Sequence, residues 1–345
     1  MNIRSVYIEI TNQCNLNCRD CYNASGLNKD TVEFSPASLD KFIYQMRELS
    51  SAESLDITLS GGEPLCHTQW EDILNVALKH TKNNITITVV TNSTIKNDKL
   101  YKLLASDPNF HVQFSLDGSD EITNDKMRGK GSFNLSLKNI DSLSYVNKPI
   151  FKMVISKFNI HQVKDYFEFA LARNGIPMYS FVNHMGNAVS NWEDISISPN
   201  EKASVIKELI TLYEEHSAEG IPPFATYICP LVEENEERSL LVKPNGDIHP
   251  CQMFYNPESR LGNVHDFSSS DFLLSFKNFA DTLRKRSLMS FGCEKCLCGD
   301  QCQKGCPAMA VAFHGTLEAD DGGCMFRKVQ FAKINILEGL KKNAL

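Results

Sequence analysis

Three thiols fall within one short stretch near the N-terminus, Cys14-Asn-Leu-Asn-Cys18-Arg-Asp-Cys21. Three thiolates at this spacing on a loop can grip three irons of a [4Fe–4S] cube, leaving the fourth iron open to a chelating substrate or cofactor. A zinc site, or three incidental thiols, is the plainer alternative. A second group lies far along the chain, at Cys229, Cys251, Cys293, Cys296, Cys298, Cys302, Cys306 and Cys324. Cys66 stands alone and reads as a small buried hydrophobe. These are 12 cysteines in 345 residues. A secreted disulfide scaffold would be shorter and would carry a signal sequence, whereas here Glu9 interrupts the first apolar run. The expectation is a cytoplasmic chain whose clustered cysteines bind metal or do redox chemistry.

The elements that must carry these residues are legible as alternation. Strand-like runs are 5–11, 55–60, 85–91, 111–116, 151–155 and 178–182, and between them lie amphipathic stretches at 38–49, 69–79, 98–104, 132–143 and 160–173. Phe42, Ile43, Met46 and Leu49 mark the apolar stripe of the first helix, and Pro36 suits its entrance. A further helix is expected at about 199–214. Six strand–helix units imply parallel pairing with helices outside, short of the eight that close a full barrel. The predicted fold class is therefore α/β, a partial (β/α)6 TIM-type barrel, with the cysteine loop at the C-terminal end of a strand, where such folds build active sites. From about residue 216 the texture turns loop-rich, with few long elements expected, so the division predicted is 1–215 and 216–345. The charge run Glu233–Arg238 reads as a solvated turn. Hydrophobic residues are 42% and charged residues 22%, ordinary for a soluble domain. The net charge of −7 argues against a nucleic-acid binder, and no apolar run is long enough to span a membrane.

The first cluster, directly after the first strand, resembles the CxxxCxxC mark of the radical S-adenosylmethionine (SAM) superfamily. Other segments agree in order: Ser60-Gly61-Gly62-Glu63-Pro64 after strand two, Thr91-Asn92 after strand three, Ser115-Leu-Asp117-Gly118 leading to Asp125, Arg128 and Gly129-Lys-Gly131-Ser-Phe133, and Met185-Gly186-Asn187-Ala188 after strand six. The resemblance implies that SAM chelates the open iron and is cleaved to a 5′-deoxyadenosyl radical that abstracts a hydrogen atom. It further implies SAM contacts at Gly61, Gly62, Glu63 (to the ammonium), Asn92, Ser115, Arg128 (to the carboxylate) and Met185. Two positions depart from the pattern. Asp20 stands where an aromatic residue usually lies near adenine, with Tyr22 as its candidate substitute, and Asn124 stands where His is usual.

The second group resembles the seven-cysteine SPASM extension of radical SAM enzymes, with Lys243-Pro-Asn-Gly246-Asp-Ile-His-Pro-Cys251 followed by Cys293-x2-Cys296-x5-Cys302-x3-Cys306 and Cys324. Family wiring implies one auxiliary [4Fe–4S] cluster on Cys293, Cys296, Cys302 and Cys324, and another on Cys229, Cys251 and Cys306, with Cys298 open as a fourth ligand. A zinc ribbon is the alternative. The resemblance thus implies SAM and three clusters, an electron donor such as flavodoxin or ferredoxin, and a peptide substrate, a ribosomally made precursor with a leader that gains a C–C, C–O or thioether crosslink. A chain that starts its barrel this early leaves no fused leader-binding domain upstream, so a separate leader-binding protein is a candidate partner. Three other readings stay open. The first is an anaerobic sulfatase maturase forming formylglycine; its basic Asp is replaced here by Gln252, which cannot take up a proton usefully at neutral pH. The others are a small-molecule radical dehydrogenase and a non-catalytic zinc or iron–sulfur protein. Base candidates are Asp117, Asp125, Glu193 and Asp194.

Overall fold

The computed structural model describes residues 1–27, 30–216, 229–232, 237–254, 256–289, 296, 302–325, 327–329 and 331. Six strands, β1 (Ile3–Thr11), β2 (Leu55–Gly61), β3 (Ile85–Thr91), β4 (Phe110–Ser115), β5 (Ile150–Ile155) and β6 (Ile176–Phe181), pair in parallel, each with the next. The connections carry helices α1 (Pro36–Leu49), α2 (Trp70–His80), α3 (Asp98–Ser106), α4 (Glu121–Arg128), α5 (Ser132–Ile140) and α6 (Val163–Ala172). After β6 come α7 (Asn187–Ile195) and α8 (Pro199–His216). Sheet order runs β6-β5-β4-β3-β2-β1 with β6 and β1 unpaired, which makes the expected open (β/α)6 barrel.

Period-two alternation decides which residues face the lumen. Val6, Ile8, Ile57, Leu59, Ile87, Val89, Phe114 and Phe151 are buried against the helical layer. Phe151, for example, packs edge-on against Phe169 of α6, with ring centroids 5.8 Å apart. The alternate positions, Tyr7, Glu9, Thr58, Ser60, Thr88, Gln113, Ser115 and Lys152, are polar and therefore line the lumen. The apolar face of α1 buries Leu39, Phe42, Ile43 and Met46, each contributing about 1.5–3 kcal/mol. Its start is set by Ser35, whose hydroxyl accepts from Ser38 N at 3.1 Å, ahead of Pro36.

The sheet continues across residue 216. Strand β7 (Arg238–Val242) pairs in parallel with the free edge of β1, and β8 (Asp247–His249) and β9 (Gly262–Asn263) extend it antiparallel. The β7–β8 turn is made by Lys243-Pro-Asn-Gly246, where Gly246 at φ 88° takes a conformation that a side chain resists. One expectation needs correction. Arg238 is buried and opens β7 rather than sitting on a solvated turn; residues 233–236 of that run lie outside the described residues. The C-terminal part also holds a 19-residue helix, α9 (Ser269–Ser287), besides α10 (Pro307–His314). The signals for α9 were present: Ser268 caps it, Phe272, Phe276, Ala280 and Leu283 form its buried stripe, and Arg284, Lys285 and Arg286 close its last turn.

Candidate active site

The loops at the C-terminal ends of β1, β2, β3 and β6 meet around the first cysteine group. Gly62 N donates to Thr11 O and Glu63 N to Gln13 O, both at 2.8 Å, stitching the Gly-Gly-Glu segment to the start of the cysteine loop. From β3, Asn92 Nδ2 donates to Asn15 Oδ1 at 2.9 Å and lies 4.0 Å from Cys14 Sγ. From beyond β6, Asn187 N donates to Cys21 O at 2.9 Å and Asn187 Nδ2 to Cys18 O at 2.8 Å. Arg19 N donates to Met127 O of α4 at 2.9 Å. The Met-Gly-Asn-Ala segment thus buckles the cysteine loop. Its Gly186 has φ 55°, and a Cβ there would stand 2.2 Å from Cys21 O and 2.4 Å from Tyr22 O. Gly186→Ala is therefore expected to displace the loop and lower the iron bound at this site. Iron per chain after anaerobic reconstitution checks this, and full loading of the variant would refute it.

The donor set fits an iron–sulfur cluster. Burial pushes the Cys14 thiol up to about 12 and raises those of Cys18 and Cys21; Cys14 and Cys18 are raised further by Cys21, and Cys21 by Asp20. The Leu16 N–H, 3.4 Å from Cys14 Sγ, opposes this only in part. Thiolates so placed need a cation to stabilise them, and iron ligation supplies it. Among the described residues no three His, Cys, Asp or Glu side chains close on one point as ligands of a single ion would. Cys66 is only half-buried; its thiol lies near the Asn15 N–H and close enough to Cys14 to raise that thiol.

Several predicted contacts are already engaged by the protein. The Glu63 carboxylate is 1% exposed and accepts from Thr91 Oγ1 and Asn92 N, both at 2.7 Å. Burial pushes it up to about 7, against the hydrogen bonds from Asn92 and Thr91. Arg128 Nε lies 2.7 Å from Asp117 Oδ2, and the Asp117 side chain is fully buried. Asp117 Oδ1 also accepts from Val154 N at 2.8 Å. Asn124 accepts from Asp117 N at 2.9 Å and donates to Ser132 Oγ at 3.0 Å, so this departure from the family pattern braces the same loop. Asp20 stands near Arg128 and Asp117, and burial, reinforced by Asp117, pushes it up to about 7. Asp125 accepts from Phe133 N and Ser132 Oγ, each at 3.0 Å, which ties it to the start of α5. Glu193 and Asp194 are exposed on α7. Ser115 lines the lumen partly exposed, and Met185 is buried.

Glu9, 1% exposed, escaped notice as a site residue. It accepts from Tyr22 Oη and Asn23 Nδ2, both at 2.8 Å, and pairs at 2.7 Å with Lys243 Nζ from the β7–β8 turn. Lys243 also donates to Asn23 Oδ1 at 2.9 Å. A charged residue inside an apolar strand was the available signal, since a buried carboxylate needs a partner. Tyr22, the candidate substitute beside adenine, is committed to this network.

In the C-terminal part, Cys229, Cys251 and Cys306 come together. Burial, reinforced by Cys306 and Cys229, pushes the Cys251 thiol up to about 12; burial and Cys229 push Cys306 up to about 11. Cys302 and Cys324 both flank Arg327, whose Nη2 is 3.8 Å from Cys324 Sγ. Arg327 pairs with buried Asp321, which also accepts from Cys306 N at 2.8 Å and so links the two places. Cys296 is a half-buried free cysteine, and Cys293 and Cys298 lie outside the described residues.

Residues 8–170, from within β1 to within α6, match the Radical SAM superfamily model. The mycofactocin maturase MftC of Mycobacterium ulcerans is 24% identical over 330 residues, covering 92% of this chain and 86% of the relative. The cysteine-type anaerobic sulfatase-maturating enzyme of Clostridium perfringens is also 24% identical over 330 residues, covering 85% of each. In fold, the native anSMEcpe structure with bound AdoMet and Kp18Cys peptide superposes with a TM-score of 0.75 at 17% identity, over 98% of this chain and 99% of that one. With three thiols gathered at the mouth of an open barrel, and the superfamily model spanning the strands that present them, residues 8–170 form a radical SAM domain, and the chain is an enzyme that uses S-adenosylmethionine and an iron–sulfur cluster.

Proposed function

We propose that this enzyme oxidatively modifies a peptide, forming a side-chain crosslink in a ribosomally made precursor. When bound, the cluster on Cys14, Cys18 and Cys21 supplies an electron that cleaves SAM, and the resulting 5′-deoxyadenosyl radical removes a hydrogen atom from the substrate. The observation that carries the reading is the gathering of Cys229, Cys251 and Cys306 into a second thiol site, with Cys302 and Cys324 beside Arg327 at a third. Redox centres there would take the electron left on the substrate after hydrogen abstraction, making the net change a two-electron oxidation. Three [4Fe–4S] clusters follow, the third completed by Cys293 and Cys296. The relation to a named maturase supports a peptide substrate. Within this reading a flavodoxin or ferredoxin donates the electrons and a separate protein presents the leader. The work is cytoplasmic, where thiols stay reduced; no helix among the described residues is long and apolar enough to cross a membrane.

Relation to a sulfatase-maturating enzyme keeps formylglycine formation as the second reading. Gln252, exposed directly after Cys251, weighs against it, since an amide is no base. The reconstituted enzyme should hold about 12 irons per chain. Incubated with SAM, reductant and its precursor peptide, it should yield a peptide lighter by two hydrogen atoms. Cys251→Ala should lose about four of those irons, keep 5′-deoxyadenosine formation and lose the peptide product. Formylglycine from a sulfatase-derived peptide at comparable rate would overturn the ranking. Full iron content in Cys251→Ala would remove the second site.

A further inference from the structure

Every cation aimed into the barrel needs a counter-charge, because desolvating an ammonium or guanidinium without one is costly. Lys243 has Glu9 at 2.7 Å, and Arg128 has Asp117 at 2.7 Å. Lys152 is the exception. It sits at the centre of β5, where Phe151 and Met153 on either side are buried on the outer face, so its side chain points into the lumen. In register it lies between Ser115 of β4 and Met178 of β6. Neither offers a charge, and no carboxylate among the described residues bears on Lys152. Burial alone pushes its ammonium down to about 8. Asp117, on the loop that follows β4, is already shared between Arg128 and Val154 N.

We propose that Lys152 is a binding residue for a carboxylate inside the barrel. The barrel holds an isolated, partly desolvated ammonium beside a lumen-facing hydroxyl, an arrangement that becomes favourable when an anionic acceptor enters. The inference rests on the radical SAM reading, which puts two carboxylate sources within the same lumen: the aminoacyl carboxylate of SAM, and an acidic side chain or C-terminus of the peptide. Among the described residues Arg128 is paired with Asp117 and Lys243 with Glu9, which leaves Lys152 as the lumen cation that no carboxylate faces.

The test uses reconstituted wild-type enzyme, Lys152→Met and Lys152→Arg. Binding of SAM is compared with that of decarboxylated SAM. Binding of the precursor peptide is compared with that of the same peptide with its carboxyls amidated. For the source that Lys152 holds, Lys152→Met should weaken binding of the carboxylate form about ten- to a hundredfold and reduce the preference over the neutral form by the same factor, with Lys152→Arg restoring part of both. Loss confined to the SAM pair identifies the cofactor carboxylate, and loss confined to the peptide pair identifies the substrate. Ligand-free Lys152→Met should unfold at the same or a higher temperature than wild type, because an unpaired buried charge has gone. Unchanged preference in both pairs overturns the proposal, and so does a lowered unfolding temperature, which would mark a structural lysine. Wild-type SAM cleavage without peptide change would defeat the crosslinking reading and leave the SAM arm readable.

Discussion

Replacing Cys14, Cys18 and Cys21 together by Ala should remove one cluster, about four irons per chain, and abolish 5′-deoxyadenosine formation altogether. The loss should be chemical rather than a collapse of the fold. The loop is held by bonds that do not involve sulfur: Arg19 N to Met127 O, Asn187 Nδ2 to Cys18 O, Glu63 N to Gln13 O. Removing three half-buried thiols deletes little apolar area, and the open barrel beneath is held by its own strand pairing and helical layer. The variant should therefore keep its far-ultraviolet circular dichroism and its other iron. Iron and sulfide analysis, with chromatography for 5′-deoxyadenosine, reads both. Continued SAM cleavage in the triple variant would move the reactive cluster to the C-terminal thiols.

How much of this was readable in advance follows from the range of each interaction. Strands β1–β6 and helices α1, α2, α3, α5 and α6 were legible because their signals are local: alternation in Ile85–Thr91, an i, i+3, i+4 stripe at Leu39, Phe42, Ile43 and Met46; the short polar helix α4 was not anticipated. The motif segments were legible for the same reason, each following its strand. The partners of the charged site residues were not. Glu9 and Lys243 meet only because β7 joins the free edge of β1, a pairing that no local pattern encodes. Arg128 and Glu63 are named by their motifs, yet what they touch is decided by which neighbouring loops close over them. A sequence motif reports that a group is needed at a place; burial and the side chains packed around it decide whether its charge faces the ligand or the protein. Lys152 shows the converse, a lysine in an otherwise ordinary strand whose isolation becomes visible only when its lumen neighbours are known.

Arg128→Ala should destabilise the enzyme by about 3–5 kcal/mol, because it leaves the fully buried Asp117 carboxylate without its cation. The resemblance assigns Arg128 to the SAM carboxylate, which predicts weaker SAM binding with stability unchanged. The geometry separates these roles. Asp117 does more than balance a charge: its Oδ1 accepts from Val154 N, and its own N–H is held by Asn124, so the pair fastens the end of β4 to β5 and to α4. An unpaired carboxylate there must either take up a proton or draw water into a dry site, and both loosen that junction. The double variant Arg128→Met, Asp117→Leu should recover much of the single variant's loss, since removing both charges also removes the desolvation penalty. Chemical unfolding of wild type, the single variant and the double variant forms the cycle. Additive losses would mean that the two residues do not support each other. A stable Arg128→Ala enzyme with weakened SAM affinity would return the arginine to the cofactor. Stability recovered in the double variant, with Arg128→Ala the least stable of the three, would establish the ion pair as the strut that shapes the SAM pocket from behind.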